Sequence, residues 1–288
     1  MPIHRRAWPR PEHGFGLIEL MVTLVLLAAV LASLYLSFFG SQRQGTRMTK
    51  VAEMRQGART CIQLMEREIR MAGSGWGRLT VYGSKNGASD SLAAVTPGYG
   101  GVAGSDSVQL VGAWQASTTL SSSMPNPSSI LNVSSVSGFS DNDLVIITDG
   151  VSAHLFQLTG VNSSSSNLQH NPSSPYNVAG GHNQWPAGGY GVGAQVYKIT
   201  RASYYYDSSS YRKPALLRRE FGQAPQIVAY NVNGLHVWYE LQDGTRTRSP
   251  GNLAFVDKVI PVVLTRVTDS RLAALGDSVW AVIRPRTF

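Results

Sequence analysis

From Phe15 to Phe39 the chain reads FGLIELMVTLVLLAAVLASLYLSFF, with Glu19 as its only charge. A helix of that length rises about 37 Å, enough to cross a bilayer. A cleaved secretory signal has a shorter apolar region followed by a small-residue cleavage site. Here the first break, Gly40, comes only after a full span, so the segment is expected to be retained. Beyond it, Val51, Met54, Ala58, Cys61, Met65 and Ile69 recur at three- and four-residue steps with Arg, Glu and Gln between them. That period predicts an amphipathic half-helix whose stripe buries against a sheet, and Gly73 and Gly75 supply the stop. The whole predicts one long helix from Phe15 to Ala72, with Gly40, Gly45 and Gly57 as weak points where it could bend.

After Gly75 the pattern changes to short β-type runs separated by Gly, Ser, Pro and Asn: SVQLVGAW from Ser107, DLVIITDG from Asp143, HLFQLTGV from His154, AQVYKITRASYYYD from Ala194 and ALLRREF from Ala215. The clearest is GLHVWYEL from Gly234, which puts Leu235, Val237, Tyr239 and Leu241 on one face and His236, Trp238 and Glu240 on the other. VIPVVLTRV from Val259 and SVWAVIRP from Ser278 complete the set. One long helix followed by strands gives an α+β class, with the helix packed on a largely antiparallel sheet. SSSMPNPSS from Ser121 and the run from Ser163 to Gly193 read as long surface loops. The second carries Tyr176, Trp185 and Tyr190, which either tuck back onto the domain or form a contact surface.

Composition narrows the function. An apolar content of 43% suits a folded chain, and only 15% charge with abundant Gly, Ser and Asn suits an exported one. The formal charge of +8 is dispersed along the sequence, so no nucleic-acid surface is expected. The lone Cys61 excludes an internal disulfide and falls on the apolar stripe, where it reads as a small buried hydrophobe.

A search for catalytic chemistry finds little. His154, His170, His182 and His236 have neither HExxH spacing nor a carboxylate at helical spacing, so no metal is expected. GYGGVA from Gly98 and GYGVGA from Gly189 open no helix and are not phosphate loops. Ser140 to Asp143 lacks the ligands of a calcium loop and reads as a turn, and there is no GxSxG elbow. The expectation is a protein that is not an enzyme and uses no cofactor.

Upstream of the apolar run lies a polar leader, MPIHRRAWPRPEHG, which meets it at Gly14-Phe15. HGFGLIELMVTLVLLAAV closely resembles the class III signal of type IV pilins and type II secretion pseudopilins, with Gly14, Phe15 and Glu19 in the places of its Gly, Phe and Glu. The resemblance implies cleavage after Gly14 by a prepilin peptidase and methylation of the new Phe15 amine. It also implies a leader at 1–14, a transmembrane half-helix at 15–39, an amphipathic half at 40–72 and a β-rich domain at 73–288. Within a bundle of staggered helices, the Glu19 carboxylate can pair with the Phe15 amine of a neighbouring subunit, which removes two unpaired charges and fixes axial register.

Arg43, Arg47, Lys50, Arg55 and Arg59 outnumber the leader's Arg5, Arg6 and Arg10, so charge alone favours the opposite orientation. A C-terminal domain in the periplasm therefore rests on the resemblance. EREIRMAGSGWG from Glu66, DGVSAHLFQLTG from Asp149, ALLRREF and IVAYNVNGLHVWYELQDG look like segments of PilW-type minor pilins and, more distantly, pseudopilin J. The expected role is a Gram-negative minor pilin that helps initiate or cap a pilus. Its expected partners are other minor and major pilins, the prepilin peptidase and the inner membrane. The alternatives are a type II secretion pseudopilin, or a tip subunit whose Ser163 to Gly193 loop contacts a surface or DNA.

Overall fold

The computed structural model describes residues 16–85, 88–98, 102–177, 182, 184–209, 213–251, 253, 256–266 and 276–285. Two compact units divide the chain, Met1–Val51 and Ala52–Phe288. One helix, α1 (Leu17–Met71), runs unbroken through Gly40, Gly45 and Gly57, so none of the three acts as a break. A helical glycine costs only about 1 kcal/mol relative to alanine, and Gly40 and Gly45 have no neighbouring side chain to wedge the turn open.

In the first unit the apolar side chains of α1 face outward, Leu17 being 80% and Leu36 72% exposed. This stretch is long and apolar enough to cross a membrane. Met54, Ala58, Cys61, Met65 and Ile69 are buried, as the three- and four-residue steps predict, with Ile62 and Glu68 buried beside them, whereas Val51, at the head of the predicted stripe, is half-buried. After Met71 the chain turns, and the Gly73 N–H donates to the Val111 carbonyl at 2.8 Å. Gly75, at φ +99°, allows a close approach, since a Cβ there would lie 2.7 Å from the Ala113 Cβ.

The rest of the second unit is strand. A six-stranded sheet is ordered β2 (Ala88–Leu92), β1 (Val81–Lys85), β8 (Ala153–Gln157), β7 (Leu144–Thr148), β11 (Gln195–Lys198), β5 (Ser117–Thr119). A five-stranded sheet runs β14 (Gln226–Tyr230), β13 (Ala215–Glu220), β12 (Thr200–Asp207), β4 (Ser107–Gly112), β3 (Val95–Gly98). A four-stranded sheet runs β16 (Arg246–Thr247), β15 (Val232–Leu241), β17 (Val256–Arg266), β18 (Gly276–Trp280). A small one holds β6 (Leu131–Asn132), β10 (Asn167–Gln169) and β9 (Gly160–Asn162). Among the described residues every pairing is antiparallel except β1 with β8. The chain is α+β, as its pattern predicts.

Three cores explain the strand patterns. The largest joins the helix stripe to the five- and four-stranded sheets through Leu110, Tyr204, Leu216, Leu235, Val237 and Val263. The alternation of β15 is therefore read correctly, with Leu235, Val237 and Tyr239 inward. In β7 all five residues are buried because both faces of its sheet are covered. Leu144 and Ile146 enter a core with Trp76 and Leu155, whereas Val145 and Ile147 enter another with Phe156 and Leu168.

Two sequence expectations change. The run from Ala194 to Asp207 is two strands, because at Ile199 the chain passes from the six-stranded to the five-stranded sheet. There the Ile199 N–H donates to the Leu144 carbonyl at 2.9 Å. The stretch from Ser163 to Gly193 contains β10, a three-residue strand whose Leu168 is wholly buried.

Candidate functional site

Of the three motif residues, Gly14 and Phe15 lie outside the described residues, and Glu19 is placed. Glu19 occupies the first turn of α1, where its N–H donates to the Gly16 carbonyl at 3.0 Å. A carboxylate there interacts favourably with the positive end of the helix dipole. Its side chain is exposed and flanked by exposed Ile18, Leu20 and Met21. On an apolar surface of this kind a carboxylate is costly in a membrane or a helix bundle, and a cation brought to it offsets that cost. The described part of the site is thus a lone carboxylate near the beginning of an exposed apolar helix.

Farther along α1 a second carboxylate lies inside the fold. Glu68 is buried on the helix stripe and accepts hydrogen bonds from Tyr204 Oη at 2.7 Å and Arg218 Nε at 2.9 Å. Arg218 also pairs with Glu220 at 2.6 Å. Burial, reinforced by the adjacent Glu68 charge, pushes the Tyr204 phenol above its ordinary range. This network ties the helix to β12 and β13 at a single register. Asp106 does the same between sheets, accepting from the Val237 N–H at 2.9 Å and from Arg248 at 2.6 and 2.8 Å. Sequence reasoning assigned neither network. The available signal for Glu68 was a charged residue three positions after Met65, on the same helix face.

The histidines, which their sequence spacing left apart, are partly brought together. His154 sits 6.1 Å from His182, and the rings of His170 and His182 each lie 4.4 Å from that of Phe156. Among the described residues no group of three or more His, Cys, Asp or Glu side chains is placed to hold a metal ion. The cluster holds down the Ser163 to Gly193 stretch. Tyr190, fully buried, bonds His154 Nδ1 through its hydroxyl at 2.6 Å, and Trp185 donates to the Pro125 carbonyl at 3.1 Å. Tyr176 is half-buried and meets Phe221 edge-on. All three aromatics of this stretch therefore pack onto the fold.

The first glycine of GYGVGA serves the same loop, since a Cβ at Gly189 would overlap the Met124 carbonyl. The Ser140 to Asp143 turn is closed by the Ser140 N–H donating to Asp143 Oδ2 at 2.7 Å. Cys61 is wholly buried, and desolvation pushes its thiol up to about 12.

Among the described residues, two of the grooves on the second unit stand out. One, of about 840 Å³, lies between the Gly75–Leu79 turn, the β7–β8 turn and the start of β11. The other, of about 440 Å³, is an apolar trough on the outer face of the four-stranded sheet, floored by Ile260 and Val262 and walled by the exposed Trp238 and Trp280.

Residues 9–35 match the family model described as the prokaryotic N-terminal methylation motif. This is the class III signal of type IV pilins and pseudopilins, and with the apolar helix behind it the chain fits membrane anchoring. No curated protein and no solved structure matches the chain.

Proposed function

We propose that the chain is a minor pilin of a Gram-negative type IV pilus, a non-catalytic subunit that helps initiate or cap the filament. A prepilin peptidase cuts after Gly14 and methylates the Phe15 amine. The apolar half of α1 then holds the protein in the inner membrane, with the folded unit in the periplasm, until other minor and major pilins draw it into the pilus. The observation that carries this reading is the methylation motif at residues 9–35 running directly into an exposed apolar helix. The inward packing of Tyr190 and Trp185 gives no support to an adhesive or DNA-contacting role for their loop.

Mass spectrometry of the membrane-extracted protein tests the reading. The expected N-terminus is methylated Phe15, and Gly14→Leu should leave the full-length precursor in place. A wild-type N-terminus at Met1, in cells with an active prepilin peptidase, would overturn it. The motif serves pseudopilins equally, and location separates the two. A minor pilin is recovered in sheared pili, whereas a type II secretion pseudopilin remains with the envelope and its loss blocks secretion.

A further inference from the structure

The larger groove keeps polar groups to spare after the fold has taken its share, since the Thr148 hydroxyl is bonded to the Ser152 carbonyl and the Gly150 N–H, and Gln195 Nε2 donates to the Gly193 carbonyl. Its floor is the face of β7 and β11 that bears Thr148, Gln195 and Tyr197, and its walls carry Arg78 and Asp149. Arg78 is exposed and makes no ion pair among the described residues. Asp149 spends Oδ1 on the N–H groups of Val151 and Ser152, which leaves Oδ2 open. Gln195 offers Oε1, and the Tyr197 hydroxyl has no partner among the described residues. The Tyr197 ring is itself held in place, because Gly75 lies against it where a Cβ would come within 3.2 Å.

We propose that this groove binds a neutral oligosaccharide. One guanidinium and one carboxylate give the site neither sign of charge, so it does not select an anion or a bare cation. Arg78 donates, Asp149 Oδ2 and Gln195 Oε1 accept, and the Tyr197 hydroxyl does both, a mixture that suits hydroxyl groups, which themselves both donate and accept. The aromatic ring supplies an apolar surface for the C–H face of a sugar. An extended peptide adding as a strand is disfavoured, since β7 and β11 are both interior strands with each edge already paired. The volume of about 840 Å³ lies near the top of the 300 to 1,000 Å³ range of ligand clefts and leaves room for more than one ring.

The test uses the full-length chain in detergent on a printed array of neutral and acidic oligosaccharides, followed by titration calorimetry with the best neutral hit. Binding should weaken tenfold or more in Arg78→Ala and in Gln195→Ala, with the unfolding midpoint unchanged. Should either variant lose stability, Val192→Trp provides a second arm. Val192 lines the groove and is 70% exposed, so a tryptophan there should obstruct one side of it and weaken binding tenfold or more without touching the core. No neutral hit, a preference for acidic sugars, or affinity indifferent to Val192→Trp would overturn the assignment. The proposal stands apart from the pilin reading, because none of these residues lies in the helix that assembly uses.

Discussion

On an isolated helix Glu19 gains only the modest attraction of the helix dipole, and the rest of its value depends on what is brought beside it. Exposed leucines and methionine surround it, and a carboxylate carried to the centre of a bilayer costs roughly 2.5 to 3.5 kcal/mol. Glu19→Val should therefore leave membrane abundance equal or slightly raised, yet reduce recovery in sheared filaments, because a neighbour's Phe15 amine loses its partner. Wild-type levels in both fractions would reduce Glu19 to a tolerated charge. Glu68 is the opposite case, already satisfied within its own chain by Tyr204 and Arg218. Removing it takes one of two carboxylate partners from the part-buried Arg218 guanidinium, so Glu68→Ala should destabilise the folded unit by about 3 kcal/mol, the low end for a broken buried pair, because Glu220 still holds Arg218. Tyr204→Phe removes a single hydrogen bond to a charged acceptor and should cost roughly 1.5 to 3 kcal/mol. Thermal unfolding of the two variants would rank them.

At the level of elements, what could be read in advance was what repeats locally. The helix and the β15 alternation follow from periods of 3.6 and 2, and β7 from its short β-type run, although its burial on both faces does not. The bend at Ile199 was not legible, because no Gly or Pro marks it and only the partner strands decide which sheet each half joins. Likewise β10 is too short to show a period. The histidine cluster was hidden for a related reason, since His154, His170 and His182 meet only when the loop folds back over β8. That cluster carries a pH dependence. Burial lowers the His170 imidazole below its usual range, helped by nearby His182 and opposed by its bond to the Ser129 carbonyl. The unfolded chain therefore takes up a proton first. The stabilisation is complete above about pH 6.5 and is lost as the pH falls from there towards the lowered value. The unfolding midpoint should drop between pH 7.5 and pH 5, with a shallower drop in His170→Gln; identical slopes in the two proteins would exclude His170 as the cause.

The described residues carry two regions of opposite character, an exposed apolar stretch of helix over 17–39 and a folded unit with closed cores within Ala52–Phe288. The closed part places the chain's one cysteine, Cys61, at zero exposure on the helix stripe, in the core shared with the five- and four-stranded sheets. A thiol so buried and so weakly acidic is inert at neutral pH. Its reaction with an added maleimide can then record one kind of event, the lifting of the helix from its sheets, with no other sulfhydryl in the chain to blur the signal. Cys61 is in effect a stopwatch already installed. In intact protein its labelling half-time should match that of global unfolding and shorten sharply in Glu68→Ala. Rapid labelling of the folded wild type would mean that the helix breathes away from the sheets on its own.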